Sequence, residues 1–64
     1  MKTVYDAASD ALYLRFAEVA VVESEEISES VVFDYDADGR IVAIELLNAS
    51  KHVVAGATFP NAAE

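Results

Sequence analysis

The chain has 64 residues, no cysteine, and 12 acidic against 4 basic side chains, a formal charge of −8. That balance argues against a nucleic-acid binder, because phosphates call for a basic face; it permits a basic protein partner, while keeping a hydrophobic small domain soluble is the commoner role of such charge. The missing cysteines exclude disulfide staples.

A chain of this size is expected to form one domain, 1–64, burying only ~60% of its unfolded surface. Yet 55% of its residues are hydrophobic, more than one small core needs. Burying the surplus between copies makes a homo-oligomer the expected state. The cysteine-free composition fits a reducing cytoplasm. No signal peptide is expected, since Asp6 arrives before an apolar segment can form. The uncharged run over residues 52–63 is short and broken by Gly56, Pro60 and Asn61, so no membrane contact is expected.

In chain order, a short strand ends near Tyr5 and Asp6. A polar turn follows through Ser9 and Asp10, whose side chains bond nearby amides. Residues 11–16 alternate, with Leu12, Leu14 and Phe16 on one face and Ala11, Tyr13 and Arg15 on the other, the mark of a half-buried strand. Glu18 marks a tight connection. Residues 19–25 are rich in β-branched side chains and predict the third strand, and residues 25–30 read as strand end or loop. Val31, Phe33 and Tyr35 then share a face, and a returning strand over 41–47 aligns Val42, Ile44 and Leu46. Val32 and Ile41 are apolar too, which leaves the register open by one residue and partly covers both faces. Asn48 or Ser50 caps a helix that Val53, Val54 and Gly56 keep short. Residues 54–64 form a C-terminal tail, loose over 60–64. The predicted fold is α+β and β-rich, an antiparallel β-meander of about four to five strands with a short C-terminal helix.

Residues 34–45 also match a calcium loop, with Asp34, Asp36 and Asp38 at alternate positions, Gly39 at the sharp turn and Glu45 last. The flanks argue otherwise. An EF-hand needs a helix on each side, but Ser28, Ser30, Val31 and Val32 precede the loop and a β-prone Ile41-Val42-Ala43-Ile44 follows it. A hairpin explains the same residues: Asp36 opens a type I turn, and Gly39 closes it in the left-handed conformation of a bulge. No metal, cofactor or catalytic residue is therefore assigned. Calcium binding through Asp34, Asp36, Asp38 and Glu45 stands as the alternative function.

Other chemistry is thin. His52 is the only histidine, and its neighbours Ser50 and Lys51 make no triad by adjacency. With no cysteine, zinc is not expected. Glu23, Glu25, Glu26 and Glu29 form an acidic cluster; paired carboxylates can raise a pKa, but a solvated edge that blocks aggregation is the expected role. Tyr5, Tyr13, Phe16, Phe33 and Tyr35 fit a core or an interface, with no basic neighbours to stack on bases.

Tyr5-Asp6, then Asp10-Ala11-Leu12-Tyr13-Leu14, then Asp34-Tyr35-Asp36-Ala37-Asp38-Gly39-Arg40-Ile41-Val42 with Ile44-Glu45, then Asn48-Ala49-Ser50 together carry a resemblance. In this order and spacing the chain resembles the YuzE-like small bacterial proteins, domain-of-unknown-function family 2283. Ala43 stands where such proteins often have Gly, and Asn48 where many have Asp. The resemblance fades after about Val53. It implies a compact β-meander with a short C-terminal helix and supplies no catalytic mechanism. Relatives encoded beside small toxin-like proteins imply an antitoxin-like or regulatory binding role. The expected function is a non-enzymatic, self-associating, protein-binding module. A small enzyme with carboxylates shared at a subunit interface is a further alternative.

Overall fold

The structure, a computed structural model, describes residues 1–59. The loose end expected over 60–64 lies outside them. Five strands, β1 (Lys2–Asp6), β2 (Ala11–Arg15), β3 (Glu23–Glu26), β4 (Val31–Tyr35) and β5 (Ile41–Leu46), precede one helix, α1 (Ala49–His52). The strands form one antiparallel sheet in the order β1-β2-β5-β4-β3. The β-rich antiparallel fold with a short C-terminal helix is the one the sequence pattern predicts. The meander proper runs through β3, β4 and β5. The β1–β2 hairpin then joins through β2, which pairs with β5 at Leu12↔Leu46 and Leu14↔Ile44.

That pairing moves the third strand. With β5 beside β2, the chain must pass β5 and β4 to reach the far edge, and residues 16–22 make the crossing. Val19, Val21 and Val22 belong to this connection and stay exposed, so the strand begins only at Glu23. An acidic segment suits that place, because an edge strand needs backbone partners on one side only and charge keeps other edges away.

The β4–β5 turn forms as its residues predict. Gly39 N–H donates to the Asp36 carbonyl at 3.1 Å and Asp36 N–H to the Arg40 carbonyl at 2.9 Å, with Gly39 at φ 78°. The Asp36 carboxylate accepts from the Asp38 and Arg40 amides, each at 2.9 Å. The open register is settled by a bulge. Phe33 faces Ile44 and Asp34 faces Ala43, but Tyr35 faces Ile41, leaving Val42 as the extra residue.

The registers sort the side chains into two faces. One carries Leu12, Leu14, Val31, Phe33, Ile44 and Leu46, all half-buried. Tyr5 extends it, with the Phe59 ring stacked on Tyr5 at a centroid distance of 4.4 Å. The other face is mostly polar. The buried apolar residues are Ala11, Val42, Ala43 and Ala49, and among the described residues no large side chain is fully buried.

Asp10 ties β1, the β1–β2 turn and α1 together at one end of the sheet. Its carboxylate accepts from Tyr5 Oη at 2.6 Å, Ser50 Oγ at 2.7 Å and the Ser50 amide at 3.2 Å, while its carbonyl accepts from Ala49 N–H at 2.9 Å. The helix cap thus comes from across the chain. Asn48 sits at the N-cap in a left-handed conformation (φ 52°) and makes no side-chain cap bond, because Asp10 already serves the first helical amides.

Candidate functional site

The polar face is built from two rows of side chains across the sheet. One runs Lys2, Arg15, Ala43, Asp34, Ser24 and the other Val4, Tyr13, Glu45, Val32, Glu26. Ala43 is the small residue on the central strand. It lies between Arg15 on β2 and Asp34 on β4, two larger neighbours of opposite charge. The result is a cleft of about 490 Å³ over Ala43, walled by Arg15, Lys2, Tyr13, Asp34, Glu45 and Glu18. Its volume is within the range of small-molecule sites.

The crossing segment supplies one rim. Arg15 Nη2 donates to the Val19 carbonyl at 2.8 Å, and Arg15 Nε lies 3.4 Å from Glu18 Oε2. The latter is an ion-pair contact without hydrogen-bond geometry, so Arg15 Nε is shut away from water with no acceptor. The loop therefore fixes Arg15 on the face where the cleft opens.

Asp34 is 5% exposed, the one buried charged residue among those described. It accepts a hydrogen bond from Ser24 Oγ at 2.6 Å. Glu45 lies beside it on β5. The Asp34–Glu45 hydrogen bond, then burial and the charge of Asp34, push the Glu45 carboxyl up to about 7. Near neutrality the pair thus holds a proton on Glu45 that an ordinary glutamate would have lost. The Tyr13 phenol is also raised, by burial first and then by the charge of Glu45. A carboxylic acid that still carries its proton near pH 7 can donate or accept one at little driving force.

The residues singled out from sequence fall differently. Asp34 and Glu45 do meet, as a hydrogen-bonded pair. Asp36 spends its carboxylate on its own turn, and the loop is flanked by strands, so the calcium-loop spacing does not produce an EF-hand. Among the described residues no group of three or more histidine, aspartate or glutamate side chains is placed to hold a metal ion. Ser50 bonds Asp10, and His52 Nε2 lies 2.7 Å from Ser30 Oγ, an exposed pair separate from Ser50. Glu23, Glu25 and Glu26 are exposed on the β3 edge, and Glu25 accepts from Tyr35 Oη at 2.7 Å, which raises the Tyr35 phenol. Arg15, Ser24, Tyr13 and Lys2 were not marked by sequence reasoning as site residues. Their signal was strand alternation alone, which puts Tyr13 and Arg15 on the non-apolar face.

Residues 2–50 match a family described as a protein of unknown function (DUF2283). The chain belongs to this family. The matched region covers all five strands and the start of α1, and so contains both the Asp10 clasp and the cleft. No curated protein matches the chain, and no solved structure does. Among the described residues no helix is long and apolar enough to cross a membrane.

Proposed function

We propose that this protein is a non-enzymatic, self-associating module that uses the apolar face of its sheet to pair with a second copy and its acidic rim to meet a basic protein partner, in an antitoxin-like or regulatory role in the cytoplasm. The observation that carries self-association is the single layer. A sheet with one apolar face buries it against another element, and here Leu12, Leu14, Val31, Phe33, Ile44 and Leu46 are only half-buried, with α1 the one helix among the described residues. A second copy offers the same face, and a two-fold axis matches it to itself. The charge distribution favours this occupant: β2, β4 and β5 place no acid among these six residues, while Glu23 and Glu25 stand at the β3 rim, where water can still screen them. The same rim and the net charge of −8 support docking of a basic protein. The cysteine-free composition supports the cytoplasmic setting.

The melting temperature tests self-association, because a folded dimer melts higher as concentration rises. A hundredfold dilution is expected to lower Tm, and Leu14→Asp to abolish the dependence. A Tm independent of concentration contradicts the proposal.

One observation favours a second reading, a small acid–base enzyme. The structure joins two carboxylates, Asp34 and Glu45, one of them buried, within one chain. A subunit interface is not required to assemble them.

A further inference from the structure

The cleft and the apolar face are on opposite sides of the sheet, so a ligand in the cleft would not compete with a second copy. The geometry points to the cleft as a binding site for a small zwitterion of amino-acid size, its carboxylate toward Arg15 and Lys2 and its ammonium toward Asp34 and Glu45.

Three observations carry this assignment. First, the register sets the two charges apart. Arg15 and Asp34 both face Ala43 from opposite sides, which puts their backbones two strand spacings, about 10 Å, apart. Among the described residues they make no ion pair; the Arg15 partner is Glu18. A molecule with both signs of charge bridges that gap, whereas a single charge satisfies one end only.

Second, each pole is held by groups outside the cleft. The crossing segment fixes Arg15 through Val19, and Ser24 fixes Asp34. Arrangement before binding spares the ligand that ordering step. Lys2 adds a second cation at the same end and has no ion-pair partner among the described residues.

Third, Asp34 is a buried charge in a domain with little core. Burying a carboxylate is costly unless it is compensated, and a charge kept there with Ala43 as the small neighbour leaves room above it. An apolar residue would pack the same position without that cost. Ser24 and Glu45 already meet Asp34 from within the sheet, and an ammonium group in the cleft adds charge-assisted bonds from above, its hydrogens suiting two adjacent carboxyl groups.

The test is a ¹⁵N chemical-shift titration of the full chain with γ-aminobutyrate and β-alanine, with butyrate and butylamine as single-charge controls. Saturable shifts centred on Tyr13, Arg15 and Ala43 are expected for at least one zwitterion, and weaker or non-saturating shifts for both controls. Arg15→Gln and Asp34→Asn are each expected to weaken binding about tenfold, the worth of one charge-assisted contact. Asn at 34 can still accept from Ser24, and the unbound spectra report whether each variant is folded. Absence of saturation with both zwitterions overturns the assignment, as does a control that binds equally well. Unchanged affinity in a folded Arg15→Gln variant does the same.

Discussion

Asp10, in the β1–β2 turn, and Asp34, within β4, are two aspartates of one sheet in opposite surroundings. Asp10 is met by donors only: Tyr5 first, then Ser50, with Lys51 adding a favourable charge, and together they hold its carboxyl below the usual range. Asp34 accepts from Ser24 and shares a hydrogen bond with a second carboxyl group, Glu45. The first arrangement favours the ionised form and ties a helix to a hairpin. The second works against ionisation of Glu45 and leaves an open cleft beside it. Hydrogen-bond donors make a carboxylate a structural tie; a second carboxyl group raises the cost of ionising the pair.

Removing the clasp should have the largest effect among the single substitutions compared below. Asp10→Ala deletes the carboxylate that accepts from Tyr5 and Ser50 and puts an alanine at φ 53°, so it should lower Tm more than Glu45→Gln, Gly39→Ala or Glu18→Gln. Asp10→Asn keeps the left-handed tolerance and part of the hydrogen bonding, and should fall between Asp10→Ala and the wild type. A thermal melt series checks the order; equal Tm for the wild type and both Asp10 variants would erase the distinction between the two aspartates.

Relieving the cleft should do the reverse. The unfolded chain loses the Glu45 proton near 4.5, whereas the folded protein keeps it up to about 7. Between those values the unfolded state binds fewer protons, so stability falls as pH rises and then levels above 7. The Asp10 contribution runs the other way. Its depressed pKa gives stability that is present above the ordinary aspartate value and lost as pH falls through the folded one. Stability should therefore peak in mildly acidic solution. Glu45→Gln should flatten the fall toward neutrality and raise stability at pH 8 by about 1–2 kcal/mol, after allowance for solvent screening. Denaturant melts across pH report this directly, and a wild-type stability that climbs from pH 5 to 7 would contradict it.

Gly39→Ala is expected to cost about 1 kcal/mol through its left-handed conformation alone, since no atom stands within 4 Å of an added Cβ. The smallest effect belongs to the rim. Glu18 is largely exposed, and Glu18→Gln should change stability by at most ~0.5 kcal/mol, while Arg15 stays anchored on the Val19 carbonyl. A much larger loss in a urea melt would mean that the ion pair, rather than the carbonyl, holds Arg15.

Local structure was legible in the sequence because local rules govern it. Alternation over β2 and β4, the Asp36-to-Gly39 turn and the polar Ser9-Asp10 turn each follow from neighbouring residues. The pairing of β2 with β5 was not legible, since it depends on which distant edge is free, and residues 19–22 had strand propensity but fall in the connection, with the strand starting only at Glu23. The cleft lay between these cases. Asp34 and Glu45 stood out, but as ends of a calcium loop. Their meeting required the bulge that lets Tyr35 face Ile41 and Asp34 face Ala43, and alternation left that register open by one residue. The Asp10 clasp was hidden for a related reason: its helix partner is 40 residues away, while Asn48 and Ser50 are capping residues close at hand.

Sedimentation equilibrium of the wild-type chain at micromolar concentration tests most directly whether the half-buried apolar face is an interface. A mass near twice the 6.9 kDa of one chain, reduced to a single chain by Leu14→Asp, is the predicted result. A folded, cooperatively melting monomer of 6.9 kDa would show that one layer suffices and that the apolar face needs no second copy.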